Sequence, residues 1–308
     1  MLSEKYQFPD STLDDGLKKI VAEVTGQQIV RTMIVEGGNK THKKHIKVSL
    51  SDGNVLLVKK CDPNQMQMLR TIMGTYVIPQ FQKVIAEYQL NSDICYMLLE
   101  WKDGTIITDS SEEHFDGNLQ TAVAAIKKIH NDTQCQEKVR IDNSFIDEIE
   151  SKTYLSRDEK KIIIQYVLSN LHYLNDRFKS IIHGDLHLQN ILITNSGAMF
   201  IDLDDVCWGD PFEDLVYAAN LHGMKSEAYP YYTFLEHYFD NKIPDEFWPI
   251  VNVYSIKKAM HIIEDEINRS QNHRSILSMS SILREHDYMS QDEPRWFKIF
   301  LKDRAERR

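Results

Sequence analysis

The chain has 308 residues, enough for one large core or two modest ones, and its 42% apolar and 10% aromatic content is that of an ordered globular protein. A formal charge of −10 argues against nucleic-acid binding, which needs a basic face. Cys61, Cys95, Cys135 and Cys207 form no CxxC pair, so neither a disulfide framework nor a zinc site is indicated. No apolar run approaches the roughly 20 residues of a membrane helix, and the opening MLSEKYQFPDSTLDDG lacks the basic-then-apolar pattern of a secretory signal. The expectation is a cytoplasmic protein with neither nucleic acid nor membrane as a partner.

In chain order, residues 12–24 (TLDDGLKKIVAEV) have the apolar spacing of an amphipathic helix, and 29–36 (IVRTMIVE) alternate as a strand. A polar turn, EGGNKTHKK (36–44), leads into the strand HIKVSL (45–50), the turn SDGN and the strand VLLVKK (55–60). NQMQMLRTIMG (64–74) predicts a helix closed by Gly74, and KVIAEYQL (83–90) and ICYMLLEW (94–101) predict two more strands. After KDG (102–104), read as a linker, helical spacing dominates at 119–131, 159–178, 212–223, 229–239 and 247–270, and the tail FLKDRAERR reads as charged and frayed. The exception is 181–203, where IIHGDLHLQN is followed by strand ILIT, turn NSGA and strand MFIDL. Strands segregated from helices indicate an α+β protein divided near Trp101–Gly104, into 1–101 and 102–308.

That embedded hairpin is rich in acids. Asp185 and Asn190 precede its first strand, and Asp202 falls near the end of its second, with Asp204, Asp205, Asp210 and Asp214 following. A tight turn makes the strands antiparallel and returns Asp202 to Asn190. Both offer hard oxygen ligands suited to Mg²⁺, and Asp185 stands where a carboxylate can accept or orient a hydroxyl proton. A nucleoside triphosphate makes these demands: metal to neutralise its oxygens, and an alcohol aimed at its γ-phosphorus. The plain alternative is a solvated acidic hairpin, since Asp favours turns.

HGDLHLQN, then FIDLDD, then GDPFEDL resembles the aminoglycoside phosphotransferase-like family of small-molecule kinases, with the likeness running from about Ile34 to about Ala219. The resemblance implies a bilobal protein-kinase-like fold, with a small β-rich N-terminal nucleotide lobe and a larger, mostly helical C-terminal lobe for catalysis and substrate. It implies Asp185 as the catalytic residue and Asn190 and Asp202 as Mg²⁺ ligands. His183-Gly184-Asp185 stands where protein kinases carry His-Arg-Asp, and Gly for Arg implies no reliance on an activation-loop phosphate. His183, which with His187 has a loose metal-like spacing, is read as structural support. Asp214 is read as a helix-start acid that, by the resemblance, also braces the catalytic loop. Asp204 is a candidate for a further metal or water contact, and Asp205 is read as an exposed acid.

In the first half, the resemblance turns Gly37 and Gly38 into a phosphate-covering turn, in place of an ordinary hairpin, and one of Lys59 and Lys60 into the phosphate-pairing lysine, with Lys59 preferred. It makes Glu100 and Trp101 the hinge whose backbone reads the purine of ATP or GTP. A departure follows. The family's lysine is held by a Glu on the next helix, but 64–74 holds no acid, leaving Gln65, Gln67, Asp62 or Glu87 as substitutes. Glu264, Asp265 and Glu266 are weak candidates for an ammonium group on the acceptor, against a solvated helix face, and Tyr229, Tyr231, Tyr232 and Trp248 for cation–π contact, against core packing. The function expected is phosphorylation of a small-molecule hydroxyl, as on an aminoglycoside or other antibiotic. Alternatives are a kinase of a metabolic amino alcohol or sugar, a protein serine/threonine kinase, and a nucleotide-binding regulator without activity.

Overall fold

Alternating apolar and polar residues in the first third of the chain build an antiparallel sheet. A computed structural model describes residues 4–8, 15–36, 44–89, 91, 95–141, 143–175, 177–221, 228–268 and 276–306. Among these, β1 (Glu4–Phe8), β2 (Ile29–Glu36), β3 (Lys44–Leu50), β4 (Val55–Cys61), β5 (Val84–Gln89) and β6 (Cys95–Glu100) lie in the order β1-β2-β3-β4-β6-β5. The SDGN turn forms as its chemistry dictates: the Gly53 N–H donates to the Leu50 carbonyl at 3.0 Å and the Asn54 N–H to Asp52 Oδ1 at 2.9 Å. Leu56 and Val58 share one face of β4, and with Val48, Leu50 and Leu98 they bury Leu17 and Val21 of helix α1 (Asp15–Thr25). Lys59 points to the opposite face from Val58.

Helix α2 (Pro63–Thr75) begins as a cap motif requires. Asp62 Oδ1 accepts the Asn64 N–H at 2.8 Å, and Pro63 occupies the first turn, where its missing N–H costs nothing. Gly74 does not close it; the helix runs through Thr75.

The chain continues through β7 (Thr105–Ile106), α3 (Glu112–Asp132), α4 (Asn143–Ser151), α5 (Arg157–Leu174), β8 (Ser180–Ile182), β9 (Ile191–Thr194), β10 (Gly197–Phe200), β11 (Cys207–Gly209), α6 (Ala228–Tyr238), α7 (Phe247–Asn268), α8 (Ile276–Glu285) and α9 (Arg295–Glu306). It packs as two compact units: 1–118 with 188–207, and 119–187 with 208–308. The hairpin β9–β10 therefore packs with the sheet-rich residues, far from it in sequence. Two features secure it there. β7 pairs with β9, and Gly104 just before it passes so close that a Cβ would meet the Ile193 carbonyl oxygen at 2.5 Å. Phe200 exchanges backbone bonds with Gln80 and Gln82, at 2.7 and 3.1 Å.

The second unit is mainly helical. α5 opens with a capping box between Ser156 and Glu159. Residues 211–221, expected as a regular helix, instead form a 3₁₀ turn (Pro211–Leu215) and a π turn (Tyr217–Leu221). The tail is helical through Glu306, because Trp296 and Phe297 pack on Trp248. Among the described residues, no helix is long and apolar enough to cross a membrane.

A buried polar cluster lies within this unit. Asn220 Nδ2 donates to Asn252 Oδ1 and Ser255 Oγ, each at 2.9 Å, and His286 Nε2 donates to Asn220 Oδ1 at 2.9 Å. Burial outweighs the bonds His286 makes to Gln291 and holds its imidazole down at about 4. The unfolded chain, with an ordinary histidine near 6.5, binds the proton first. This group's contribution to stability is therefore complete above about pH 6.5 and is lost as the pH falls to about 4, amounting to roughly 3 kcal/mol at most. Urea unfolding at pH 7 and pH 4.5 checks this: the midpoint falls with acid, and His286→Gln makes the fall shallower.

Candidate active site

The hairpin behaves as its turn chemistry requires. Thr194 opposes Gly197 and Ile191 opposes Phe200, so the strand ends meet again at Asn190 and Ile201, where the Ile201 N–H donates to the Asn190 carbonyl at 3.0 Å. β10 stops at Phe200, so Asp202 lies just beyond the strand, in a left-handed conformation (φ 63°, ψ 61°) that Asp tolerates better than most residues. Asn190 is buried, and the Asp202 side chain is about half exposed.

Lys59 completes this group within the sheet-rich unit. Its side chain is 3% exposed; its ammonium pairs with Asp202 and lies 2.8 Å from Asp204 Oδ1. Burial pulls the lysine pKa down, but the two carboxylates outweigh it and the net direction is up. Lys60 is exposed. Of the substitutes proposed for the absent helix acid, the two acids are occupied elsewhere: Asp62 caps α2, and Glu87 pairs with Arg70 of α2. Lys59 instead takes its acids from the residues just after the hairpin. The Asn190 amide and the Asp202 and Asp204 carboxylates are hard oxygen donors of the kind Mg²⁺ prefers. Among the described residues, no group of three or more His, Cys, Asp or Glu side chains is placed to hold a metal ion.

The loop at 183–187 belongs to the helical unit and is pinned by Asp214. One Asp214 oxygen accepts the His183 N–H at 2.8 Å and the other the Gly184 N–H at 2.7 Å. His130 Nε2 donates to the same carboxylate at 2.9 Å, while His130 Nδ1 accepts from the Tyr238 hydroxyl at 2.7 Å. The capping acid of the 3₁₀ turn is Asp210, whose Oδ1 accepts the Phe212 N–H; Asp214 serves the loop. His183 is fully buried, and its Nδ1 accepts the Asp185 N–H at 3.3 Å, a local supporting contact.

Asp185 sits among donors. Tyr217 donates its hydroxyl to Oδ1 at 2.7 Å, Lys258 Nζ stands 3.1 Å from the same oxygen, and His187 Nε2 is 3.7 Å from Oδ2. Burial pushes the carboxyl up, but Lys258, Tyr217 and His187 together hold it below the usual carboxylate range. Tyr217 and Lys258 carried no motif by which the sequence reading found them, and neither did His130.

Other expected positions fare differently. Gly37 and Gly38 lie outside the described residues. Glu100 ends β6 and Trp101 follows it, but their N–H groups are already used, donating to the Lys83 carbonyl at 2.9 Å and the Val55 carbonyl at 3.2 Å. Gln82 Nε2 donates to the Glu100 carbonyl at 3.1 Å, and Lys47 lies over the Trp101 ring. Glu264 on α7 pairs with Lys152, and Asp265 beside it is half-buried. Tyr231, Tyr232 and Trp248 are core residues, with Tyr232 packed against Phe297 and Phe300; the Tyr229 side chain lies outside the described residues.

The sequence pattern of the Phosphotransferase enzyme family matches residues 66–247, more than half of the chain, and the protein belongs to that family. No curated protein sequence matches the chain. Among solved structures, aminoglycoside phosphotransferase APH(4)-Ia aligns with a TM-score of 0.63 at 14% identity, over 87% of this chain and 98% of that one. The gentamicin–APH(2")-IIa complex aligns at 0.60 and 16%, over 91% and 99%. The amicoumacin kinase hAmiN, in complex with AMP-PNP, Ca²⁺ and Ami, aligns at 0.59 and 14%, over 92% and 96%. These likenesses establish the fold, which is the α+β, protein-kinase-like fold of aminoglycoside phosphotransferases.

Removing the Asp214 carboxylate strands two backbone N–H groups and the His130 imidazole in a buried place. Asp214→Ala is expected to lose on the order of 3 kcal/mol, because each unsatisfied donor carries its own desolvation cost. Asp214→Asn, which keeps an acceptor oxygen, loses less. Urea unfolding of both variants measures the difference.

Proposed function

We propose that this protein transfers the γ-phosphoryl group of ATP or GTP to a hydroxyl of a small molecule. The observation that carries the reading is the hairpin return, which sets Asn190 beside Ile201–Asp202 while Lys59 engages Asp202 and Asp204. Asn190 and Asp202 hold Mg²⁺ on this reading, and the ion when bound neutralises charge on the phosphate oxygens. Lys59 adds a buried cation for the phosphates, and Gly37 and Gly38 cover them. The purine is read along the segment that begins at Glu100 and Trp101. Because those two N–H groups are already used, its edge falls to the exposed residues 102–104.

Asp185 acts on the acceptor. The acceptor O–H bond breaks as its oxygen bonds to the γ-phosphorus. The bond from that phosphorus to the bridging oxygen breaks, the nucleoside diphosphate leaves, and the proton passes to Asp185. An ionised Asp185 suits this work: it orients the hydroxyl early and takes the proton late, as a loose phosphoryl transition state requires. His183 and Asp214 keep the loop in shape. Residues 1–101 form the nucleotide-binding lobe on this reading, and 102–308 the catalytic and substrate-binding lobe.

The acceptor is small and cationic, and an antibiotic is the leading class. Structural neighbours are complexes with hygromycin B and ADP, with gentamicin, and with Ami and AMP-PNP. Glu264 and Asp265 are candidate contacts for its ammonium groups. The working compartment is the cytoplasm, where such a nucleotide is at hand.

The test uses Mg²⁺ with ATP or GTP and a panel of aminoglycosides, other hydroxylated antibiotics, choline and homoserine, reading nucleoside diphosphate release. Wild type is expected to release it with at least one acceptor. Asp185→Asn is expected to lose roughly 10²- to 10⁴-fold of that rate, the range for removing a positioned acid–base group. Equal turnover by the variant, or none by wild type on any acceptor, overturns the proposal.

A further inference from the structure

Lys258 lies on α7, and its ammonium makes two contacts at once. It donates to the Gly184 carbonyl at 2.9 Å and stands 3.1 Å from Asp185 Oδ1. Its side chain is only 16% exposed, a costly state for an ammonium unless it is paired and hydrogen-bonded. Gly184 has φ +76°, a conformation suited to glycine. Its amide is therefore held on both sides: the N–H by Asp214 and the carbonyl of the same residue by Lys258. Tyr217 donates to the same Asp185 oxygen that Lys258 faces.

We propose that Lys258 is a positioning residue for phosphoryl transfer, fixing the Gly184–Asp185 segment and the direction of the Asp185 carboxylate. The inference rests on the reading of Asp185 as the residue that receives the acceptor's proton. Among the described residues, the groups facing Asp185 include Lys258 from α7, Tyr217 from the π turn, and His187 from its own loop. Lys258 Nζ at 3.1 Å and the Tyr217 hydroxyl at 2.7 Å are in direct contact with the carboxylate, and His187 stands further off at 3.7 Å. Without Lys258, burial acts against the carboxylate with less opposition. The carboxyl then protonates at higher pH, and the loop loses the donor that holds the Gly184 carbonyl.

The elements that carry these groups are themselves tied together. Asn252 and Ser255, on α7 before Lys258, hold Asn220 of the π turn, and Tyr217 is the first residue of that turn. Lys258 and Tyr217 thus approach Asp185 from two supports that share one buried network. The arrangement makes the direction of the Asp185 carboxylate a property of the helical unit's core.

The experiment compares wild type, Lys258→Met and Lys258→Arg, with folding of each followed by thermal melting. Two readouts are taken: the side-chain carboxyl titration of Asp185 by ¹³C NMR, assigned with Asp185→Asn, and steady-state turnover against pH with an acceptor from the panel above. For Lys258→Met the Asp185 carboxyl is expected to titrate at higher pH than in wild type. Its kcat is expected to fall on the order of 10- to 100-fold, as for a displaced reacting group, with nucleotide KM changed less than about threefold, and the acidic limb of the kcat profile moves the same way. Lys258→Arg, which keeps the charge, is expected to restore the carboxyl titration and part of kcat. If Lys258→Met leaves both the carboxyl titration and the profile at wild-type positions while turnover persists, the role assigned to Lys258 is overturned and the kinase reading stands. If wild type turns over no acceptor yet the carboxyl moves in Lys258→Met, the kinase reading falls while the hold of Lys258 on Asp185 is upheld. If Lys258→Met does not fold, Lys258→Arg decides: loss of the carboxyl shift in a folded, charge-keeping variant overturns the proposal.

Discussion

Buried at 1% exposure, the Asp214 carboxylate accepts the N–H groups of two consecutive residues, His183 and Gly184, and the Nε2–H of His130. A carboxylate in such a place persists only if its charge is met by donors. The consequence is geometric. Two adjacent peptides aimed at one carboxylate leave little freedom to the residue that follows, and that residue is Asp185. The left-handed Gly184 is what allows the chain to turn out of this grip without strain.

Charge is handled alike in both units. In the sheet-rich unit a nearly buried lysine, Lys59, meets Asp202 and Asp204; in the helical unit a mostly buried lysine, Lys258, meets Asp185. Neither pairing is an economical way to stabilise a fold, since apolar side chains of the same size avoid the desolvation cost. Both stand within or beside the acidic segments where sequence reasoning located the chemistry. The two lysines differ in effect. Lys59 is paired with acids that offer hard oxygens for a cation, so its charge and a metal's address the same groups. Lys258 addresses the carboxylate and the carbonyl before it, and so sets the shape of one loop.

What was legible in the sequence follows the range of the forces involved. The strands 29–36, 44–50 and 55–61 and the acidic hairpin were readable because alternation and turn chemistry are local, and a tight turn dictates which residues meet. Lys59, preferred to Lys60 from its strand-ending pattern, has its acid partners 143 and more residues away, beyond any pattern on the following helix. Lys258 reaches Gly184 across 74 residues and was hidden among ordinary helix charges. At the end of β6, the use of the Glu100 and Trp101 N–H groups depends on the start of β4 and on the segment before β5, which sequence spacing does not reveal. The irregular 211–221 segment read as one helix because its apolar spacing suits either a 3₁₀–π sequence or an α-helix.

That last ambiguity explains why the core beneath it is polar. A π turn carries one extra residue, and relaxing it to α would rotate the residues before it by about 100°. Such a slip would displace the buried Leu215, Val216, Ala218 and Ala219, and it would break the polar contacts as well. Asn220 does not tolerate it: its amide nitrogen donates to both Asn252 and Ser255 and its oxygen accepts from His286, and all of these atoms are buried. Losing the register would leave several buried polar atoms unsatisfied at once, each at a cost of about 1–3 kcal/mol. The network therefore selects the π register over the α alternative. In this register Tyr217, the first residue of the turn, donates its hydroxyl to Asp185. A cluster that looks like a costly feature of the core thus places a donor at the loop, and the polarity of Asn220, Asn252, Ser255 and His286 follows from the irregular turn they must hold.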